Sequence, residues 1–459
     1  MQKIIRYKLK KVKRNKKCNV VVLFLQWTKR KKRIKIIKKD KKEGIYRMKS
    51  IFKRVTAFSL VVAFAFALFA CGKTEKTGIT LAKFDGGIEI HTEAQLAYLN
   101  GLNPAEMDEA IDGKHEYSRP LPVTLTWKNA RKCEYYSVEV SSASDFSNSV
   151  MYPVSEEKLE LYNLLTGVEY YWRVKEAAQN GVTSETGSFF IKADGPRNLF
   201  IEGVTNVRDL GGYSASNKIK QGLIYRGGRL NNSYSKGFSA ENDVRDEDCV
   251  MEPEITAAGA KVFAKVLGIK TEIDLRNTNG NGYPGGGKKV GGVVQTEDQA
   301  KIIGSAVNKV LGENLVNIEP VYLNGSGALL ESNITEIKKV FDILAQKDNY
   351  PVYFHCNIGT NRTGMIAFLL GAICGVEEAD LYRDYMFSNF GTIALRTPVT
   401  KKDERTSVKE MNDDFGNYIK ACAGETIKEK AENCLTEKCG VNSETIEKVR
   451  SILLGKAGL

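Results

Sequence analysis

Three stretches alternate apolar and polar residues with a period of two. They are Val123-Thr124-Leu125-Thr126-Trp127, Tyr136-Ser137-Val138-Glu139-Val140 and Tyr170-Tyr171-Trp172-Arg173-Val174. That is the pattern of strands with one buried face. Turn-forming residues at 144–149 and at Asn180-Gly181 separate them, so residues 118–194 are expected to form an all-β unit. Ala193-Asp194-Gly195-Pro196 is a natural boundary. Beyond it the period shifts. Val262, Phe263, Val266 and Leu267 repeat at helical spacing within 255–267, and 268–276 follows as a strand ending in charge. Asn333 is placed to cap a helix with Glu336 three residues on, with Ile334, Ile337, Phe341 and Leu344 on its inner face. Residues 351–354 are a short β-rich apolar run and 365–374 are almost wholly apolar. The pair reads as buried strand, tight loop, buried helix. Helices are expected at 377–387, about 412–422 and about 443–454, so 197–459 reads as an α/β domain with a central sheet and flanking helices.

The all-β unit resembles a fibronectin type III sandwich. Trp127 falls on an early strand, and Leu164-x5-Tyr170 ahead of Tyr171-Trp172-Arg173-Val174 matches the family's corner. There the tyrosine hydroxyl bonds back to the backbone. Thr166 stands where that family commonly has proline. The resemblance implies a spacer or an adhesive module with a surface ligand, and its aromatics read as core.

Ahead of this unit, residues 72–117 are mixed and fit a tether with a small capping element. An export signal begins at Met48: Lys49, Lys53 and Arg54 precede an uncharged apolar core over 55–69. Leu68-Phe69-Ala70-Cys71 then resembles a bacterial lipobox, which implies lipidation of Cys71 and a membrane-anchored protein on the outer face of the cell membrane. An ordinary cleaved signal or a retained anchor are the alternatives to that 48–71 reading. Residues 1–47 are Lys/Arg-rich around one apolar patch at 20–27, which is too short to span a bilayer. They read as upstream sequence translated from an early start, with a nucleic-acid or membrane arm as the competing reading.

The net charge of +13 is concentrated at that end. Residues 1–54 carry 23 of the 68 Lys/Arg and 2 of the 55 Asp/Glu, leaving 45 basic against 53 acidic side chains in the rest. The bulk of the chain is therefore mildly acidic, which argues against nucleic-acid binding. Nine cysteines are thinly spread and only His91, His115 and His355 accompany them, so no metal site or cofactor is expected. Cys434 and Cys439 are spaced to allow pairing in a secreted protein.

The chemistry concentrates in His355-Cys356-Asn357-Ile358-Gly359-Thr360-Asn361-Arg362-Thr363-Gly364. After a buried strand, the N–H groups of such a loop turn inward and join the helix N-terminus in an anion site. The same field favours thiolate, so Cys356 is expected to be the ionised nucleophile. Arg362 can return over the loop and grip two phosphate oxygens with its planar fork. Gly359 supplies a geometry that a side chain would obstruct. The competing reading is a structural cysteine at a strand end with an unrelated arginine nearby.

This stretch resembles the Cys-x5-Arg phosphate loop of the protein tyrosine phosphatase superfamily, in the fuller form His-Cys-x-x-Gly-x-x-Arg-Thr-Gly. Further landmarks in order are Asn206-Val207-Arg208-Asp209-Leu210-Gly211-Gly212, Tyr225-Arg226-Gly227-Gly228, Ile273-Asp274-Leu275-Arg276 and, after the loop, Asp384-Tyr385-Met386-Phe387-Ser388-Asn389. Together they are similar to a bacterial branch whose secreted members often act on phosphotyrosine and phosphoinositides. The resemblance implies that Asn357, Ile358, Gly359, Thr360, Asn361 and Arg362 hold the phosphate. It also implies that Cys356 forms a phosphocysteine and that Thr363 donates to the sulfur. His355 is expected to orient the loop through its backbone.

The proton donor is where the chain departs from its relatives. All three tryptophans, Trp27, Trp127 and Trp172, precede the catalytic domain, so a Trp-Pro-Asp loop is absent. The branch often carries Lys-Asp before the arginine, whereas Thr360-Asn361 stands here. Asparagine cannot shuttle a proton, and threonine cannot hold a polyanionic head group as lysine would. Asp274, at a strand end leading into the glycine-rich stretch 277–292, is the candidate general acid, with an ion pair to Arg276 or another core arginine as the alternative. Asp209 and Asp384 are weaker candidates, and 277–292 reads as a lid. The expected activity is a metal-free tyrosine phosphatase acting on a phosphotyrosine protein or small phosphomonoester. An inositol polyphosphate or phosphoinositide phosphatase and a catalytically weak surface binding protein remain as alternatives.

Overall fold

The computed structural model describes residues 78–101, 111, 116–212, 216–230, 255–275, 289–290, 293–294, 317–320, 328–356, 358–391 and 406–457. The expectations for 1–71, His115, Arg276, Asn357 and most of the 277–292 stretch lie outside them. Chain contacts separate 1–76 from 77–459, and only the second unit is described. Among the described residues no helix is long and apolar enough to cross a membrane.

The alternating stretches form strands of two sheets. β1 (Ile79–Leu81), β3 (Val123–Asn129) and β6 (Lys158–Leu161) make the smaller one. β2 (Gly87–Ile88), β4 (Tyr136–Ser141), β5 (Val150–Val154), β7 (Glu169–Glu176) and β8 (Gly187–Ile191) make the larger, in the order β2-β8-β7-β4-β5. Trp127, Val138, Trp172, Phe189 and Ile191 fill the core they share. Burial along β7 alternates as the sequence pattern requires, with Tyr170, Trp172 and Val174 turned in. At the corner the Leu165 N–H donates to the Tyr170 hydroxyl at 2.9 Å. The stretch 72–117 is more ordered than expected: β1 pairs with β3 and β2 with β8. Between them and β3 lies α1 (Glu93–Asn100), closed by a reciprocal Thr92–Gln95 capping box.

In the α/β part, β9 (Arg208–Asp209), β10 (Ile224–Gly227), β11 (Thr271–Asp274), β14 (Asn317–Pro320) and β15 (Val352–His355) form one sheet in the order β14-β11-β15-β10-β9. All pairs are parallel except β9 with β10. β12 (Lys289–Val290) and β13 (Val293–Val294) pair separately. One sheet face, carrying Ile273, Val352 and Phe354, packs against most of the helices. These are α3 (Ile334–Leu344), α4 (Asn361–Ile373), α5 (Glu378–Met386), α6 (Val408–Met411, continued by Asn412–Gly416 and Asn417–Lys420), α7 (Ile427–Asn433) and α8 (Ser443–Leu453). The other face carries Tyr353 and packs with α2 (Ala257–Lys261) and its continuation through Phe263.

At the start of α3 the expected cap is absent. A tight turn over Glu331–Asn333 precedes the helix, and the Asn333 side chain donates back to the Leu329 carbonyl at 2.6 Å instead. Ile334 is correspondingly exposed at 36 %, and Val340 joins Ile337, Phe341 and Leu344 on the inner face. Cys434 and Cys439 are free and buried, and the hydrogen bond between them holds the Cys434 thiol well above its ordinary range.

Buried polar contacts join the two parts. Arg197, just past the sandwich, pairs with Asp209 at 2.8 Å and donates to the carbonyls of Leu164 and Asn163. The Thr166 N–H donates to the Gln221 side chain at 3.0 Å, whose amide returns a bond to the Thr166 carbonyl at 2.9 Å. A proline here would have no N–H to give, so the bond to Gln221 requires a residue other than proline at Thr166. Tyr98 of α1 reaches the α/β core against Phe387 and Phe390.

Candidate active site

β15 ends at His355, and Cys356 begins the loop to α4 with 3 % of its surface exposed. Gly359 is held at φ +77°, and a Cβ there would lie 2.5 Å from the Gly227 carbonyl. Only glycine fits both demands. The amides of Gly359 and Thr363 and the Thr363 hydroxyl lie where they favour a negative Cys356 sulfur, and that buried hydroxyl makes no hydrogen bond of ordinary geometry among the described residues. Burial alone would push the thiol up, but the Arg362 charge, the Thr363 hydroxyl and those amides outweigh it and bring it down to about 6. Arg362 is 7 % exposed and donates to the Leu275 carbonyl at 3.4 Å, which anchors its guanidinium across the strand end. Thr360 is buried, and its hydroxyl has no partner among the described residues. Cys356, Ile358, Gly359, Thr360, Asn361, Arg362 and Thr363 are thus brought together.

Three of the sequence landmarks, at Asn206–Arg208, Arg226 and Asp384, form the frame of this loop. Asn206, itself at φ +59°, donates to the Ile358 carbonyl at 3.1 Å. Arg226 donates to the Gly359 carbonyl at 2.7 Å and to Asp384 at 2.5 Å. Arg208 takes the other Asp384 oxygen at 2.7 Å. Burial would raise the Asp384 carboxyl, but the two guanidiniums hold it below its ordinary value. Arg226 is fully buried and is pulled down to about 10 by that burial and by Arg208, against Asp384 and the Cys356 sulfur. Sequence reasoning used Arg226 only as a landmark. The signal was present in Tyr225-Arg226-Gly227-Gly228, because an arginine on a buried strand needs a carboxylate partner. Asp209 is the Arg197 partner and caps the Gly211 and Gly222 amides, so it is structural.

His355 lies below the loop, with Nδ1 against the Cys356 carbonyl at 2.8 Å and Nε2 against Glu272 at 2.9 Å. Asp274 sits opposite His355 in the β11–β15 register. Glu272, Asp274 and His355 bring their donor atoms within 4.8 Å of one another and are buried, so among the described residues they are the grouping whose donors could hold a cation. Alternation puts them on the Tyr353 side of the sheet, whereas Ile273, Phe354 and Cys356 share the other side. Asp274, expected as the general acid, thus lies beside His355 and Glu272 at the end of β11, one residue before the Leu275 carbonyl that Arg362 meets.

On the rim, Asn361 donates to Asp414 of α6 at 3.2 Å. Burial and the neighbouring Glu410 and Asp413 charges raise the Asp414 carboxyl, against the Asn361 bond that lowers it.

A mostly parallel sheet with a cysteine–arginine loop at the carboxyl end of a central strand defines an α/β protein whose site gathers at that strand end. The family model described as the tyrosine phosphatase family matches residues 199–243 and 251–455, and the chain belongs to that family. A tyrosine-protein phosphatase of Nostoc commune is 40% identical over 53 residues, 12% of this chain and 18% of that protein, so the match spans under a fifth of that relative. The core catalytic domain of a PP-IP phosphatase from S. cerevisiae, solved with citrate, aligns with 47% of this chain and 91% of its own at 12% identity and a TM-score of 0.25.

Proposed function

We propose that the protein hydrolyses phosphomonoesters, phosphotyrosine foremost, through a phosphocysteine on Cys356. The observation that carries this is the lowered Cys356 thiol inside the Gly359 and Thr363 amides with Arg362 alongside. Uncatalysed hydrolysis is extremely slow, so the site must supply a large barrier reduction. The sulfur attacks phosphorus and divides one displacement into two easier ones. Arg362 and the amides take up charge on the three equatorial oxygens as it spreads. Thr363 steadies the sulfur as nucleophile and then as leaving group. Arg226, Arg208 and Asp384 position the loop from behind.

The choice of a monoester over a polyphosphate is supported by Thr360, which is buried where relatives reach out with lysine, and by the acidic Glu410, Asp413 and Asp414 beside Asn361. Both disfavour a polyanionic ligand. The two-sheet core and the Leu165–Tyr170 bond support a fibronectin type III-like assignment for the sandwich. The division at 194–197 is supported by the separate cores on either side. Export and a lipid on Cys71 rest on residues 48–71 alone. Cys71→Ser is expected to release the protein from membranes or block its processing, and unchanged fractionation would remove the anchor.

The test of the activity is hydrolysis of an aryl phosphate by wild type and Cys356→Ser, each with and without chelator. Turnover lost in the variant and indifferent to chelator supports the reading. Turnover by the variant, or its loss on chelation, contradicts it.

A further inference from the structure

A phenolate leaving group, whose conjugate acid has a pKa of about 10, needs a proton as its bond to phosphorus breaks. Resting on the proposed phosphocysteine chemistry, the geometry points to Asp414 as the general acid, carried by α6 and held at the rim of the loop by Asn361. The residue before the loop arginine is an amide here, and that amide spends a donor on the Asp414 carboxylate at 3.2 Å. Asparagine in this role does not move a proton; it places a group that can.

The carboxyl is built in rather than waving on the surface. Its own main-chain carbonyl accepts from Leu330 N–H at 3.4 Å. The next residue, Phe415, is fully buried edge-on against Phe368 of α4 and Tyr385 of α5. The wide helical turn Asn412–Gly416 lets Phe415 enter the core while Asp414 meets Asn361. The groups around it are Glu410 and Asp413 on its own helix, with Lys409 on Asp413, and Tyr385 from α5. Burial and the two neighbouring carboxylates raise the Asp414 carboxyl above its ordinary value, against the Asn361 bond that lowers it, which is the direction a general acid needs.

Other described carboxyls near the loop are committed elsewhere. Asp384 bridges Arg208 and Arg226, Asp209 faces Arg197, and Asp274 and Glu272 lie with His355 on the opposite side of the sheet. In the first step the Cys356 sulfur bonds phosphorus while the phosphorus–oxygen bond breaks, and the Asp414 proton passes to the departing oxygen. In the second, water attacks phosphorus, gives a proton back to the Asp414 carboxylate, and the sulfur leaves as thiolate.

The experiment compares D414N, D414E, N361A and C356S with wild type on a phosphotyrosine peptide and on 2,4-dinitrophenyl phosphate, whose leaving group needs no proton. D414N is expected to lose about 100-fold or more on phosphotyrosine and only a few-fold on the activated ester. It should also lose the basic limb of the kcat/KM profile, and D414E should recover part of the loss. N361A, which leaves the carboxyl in place but loose, should show the same leaving-group bias more weakly and serves if D414N folds poorly. Equal losses on both substrates, or no loss, in both D414N and N361A would overturn the assignment of Asp414. Turnover surviving in C356S would instead overturn the phosphocysteine reading on which it rests.

Discussion

At the residue scale the decisive balance is on one sulfur. Burial disfavours the Cys356 thiolate, and Arg362, Thr363 and the loop amides reverse the sign. The thiol is lowered, so the reactive form is lost as pH falls through about 6. The acidic limb of kcat/KM should report that value, and Thr363→Ala should move it upward by removing a donor to the sulfur. An unmoved limb would take Thr363 out of the balance. Arg362→Lys keeps the charge but loses the planar fork, and about a 100-fold loss of kcat/KM is expected. The gathering of Cys356, Arg362 and Thr363 in one loop was legible because spacing and chain order suffice for a single loop. The side of β11 that Asp274 faces was not legible without applying the strand period, and the Asn361–Asp414 contact was not legible because the two lie 53 positions apart.

Elements explain why the loop keeps its shape. β9, β10 and α5 send Arg208, Arg226 and Asp384 to one buried point behind Gly359. Asp384→Ala would leave two buried guanidiniums unpaired, at a cost of about 3–5 kcal/mol. Equilibrium denaturation should show that loss, and a value below about 1 kcal/mol would make the network peripheral. Because the Asp384 carboxyl is depressed, its contribution is present above the ordinary value of 3.8 and fades as pH drops below it. Helix and strand positions were read well where a single period ran long, as in α4 and β7. The start of α3 was not, since Asn333 used its amide on Leu329 and a tight turn displaced the cap. The α1 helix was missed although Thr92-x-x-Gln95 carried the capping-box signal.

On the scale of the whole molecule, the sandwich is fastened to the α/β part through Thr166–Gln221, Arg197–Asp209 and Tyr98. Thr166→Pro removes the N–H that the Gln221 side chain accepts and should destabilise the protein by about 1 kcal/mol through that lost bond. Its Cys356 chemistry should be unaffected. A rise in stability would show that the contact is dispensable. The α/β layering was legible from alternating strands and helices, whereas this junction was not, because the tether reading of 72–117 hid α1 and the two edge strands.

The central claim is a sulfur held negative in a phosphate cradle, and the rate of Cys356 alkylation by iodoacetate against pH tests it most directly. The rate should rise with a midpoint at about 6, map to Cys356 and fall when inorganic phosphate is added. A midpoint near the ordinary thiol value of about 8.5, or alkylation indifferent to phosphate, would contradict it.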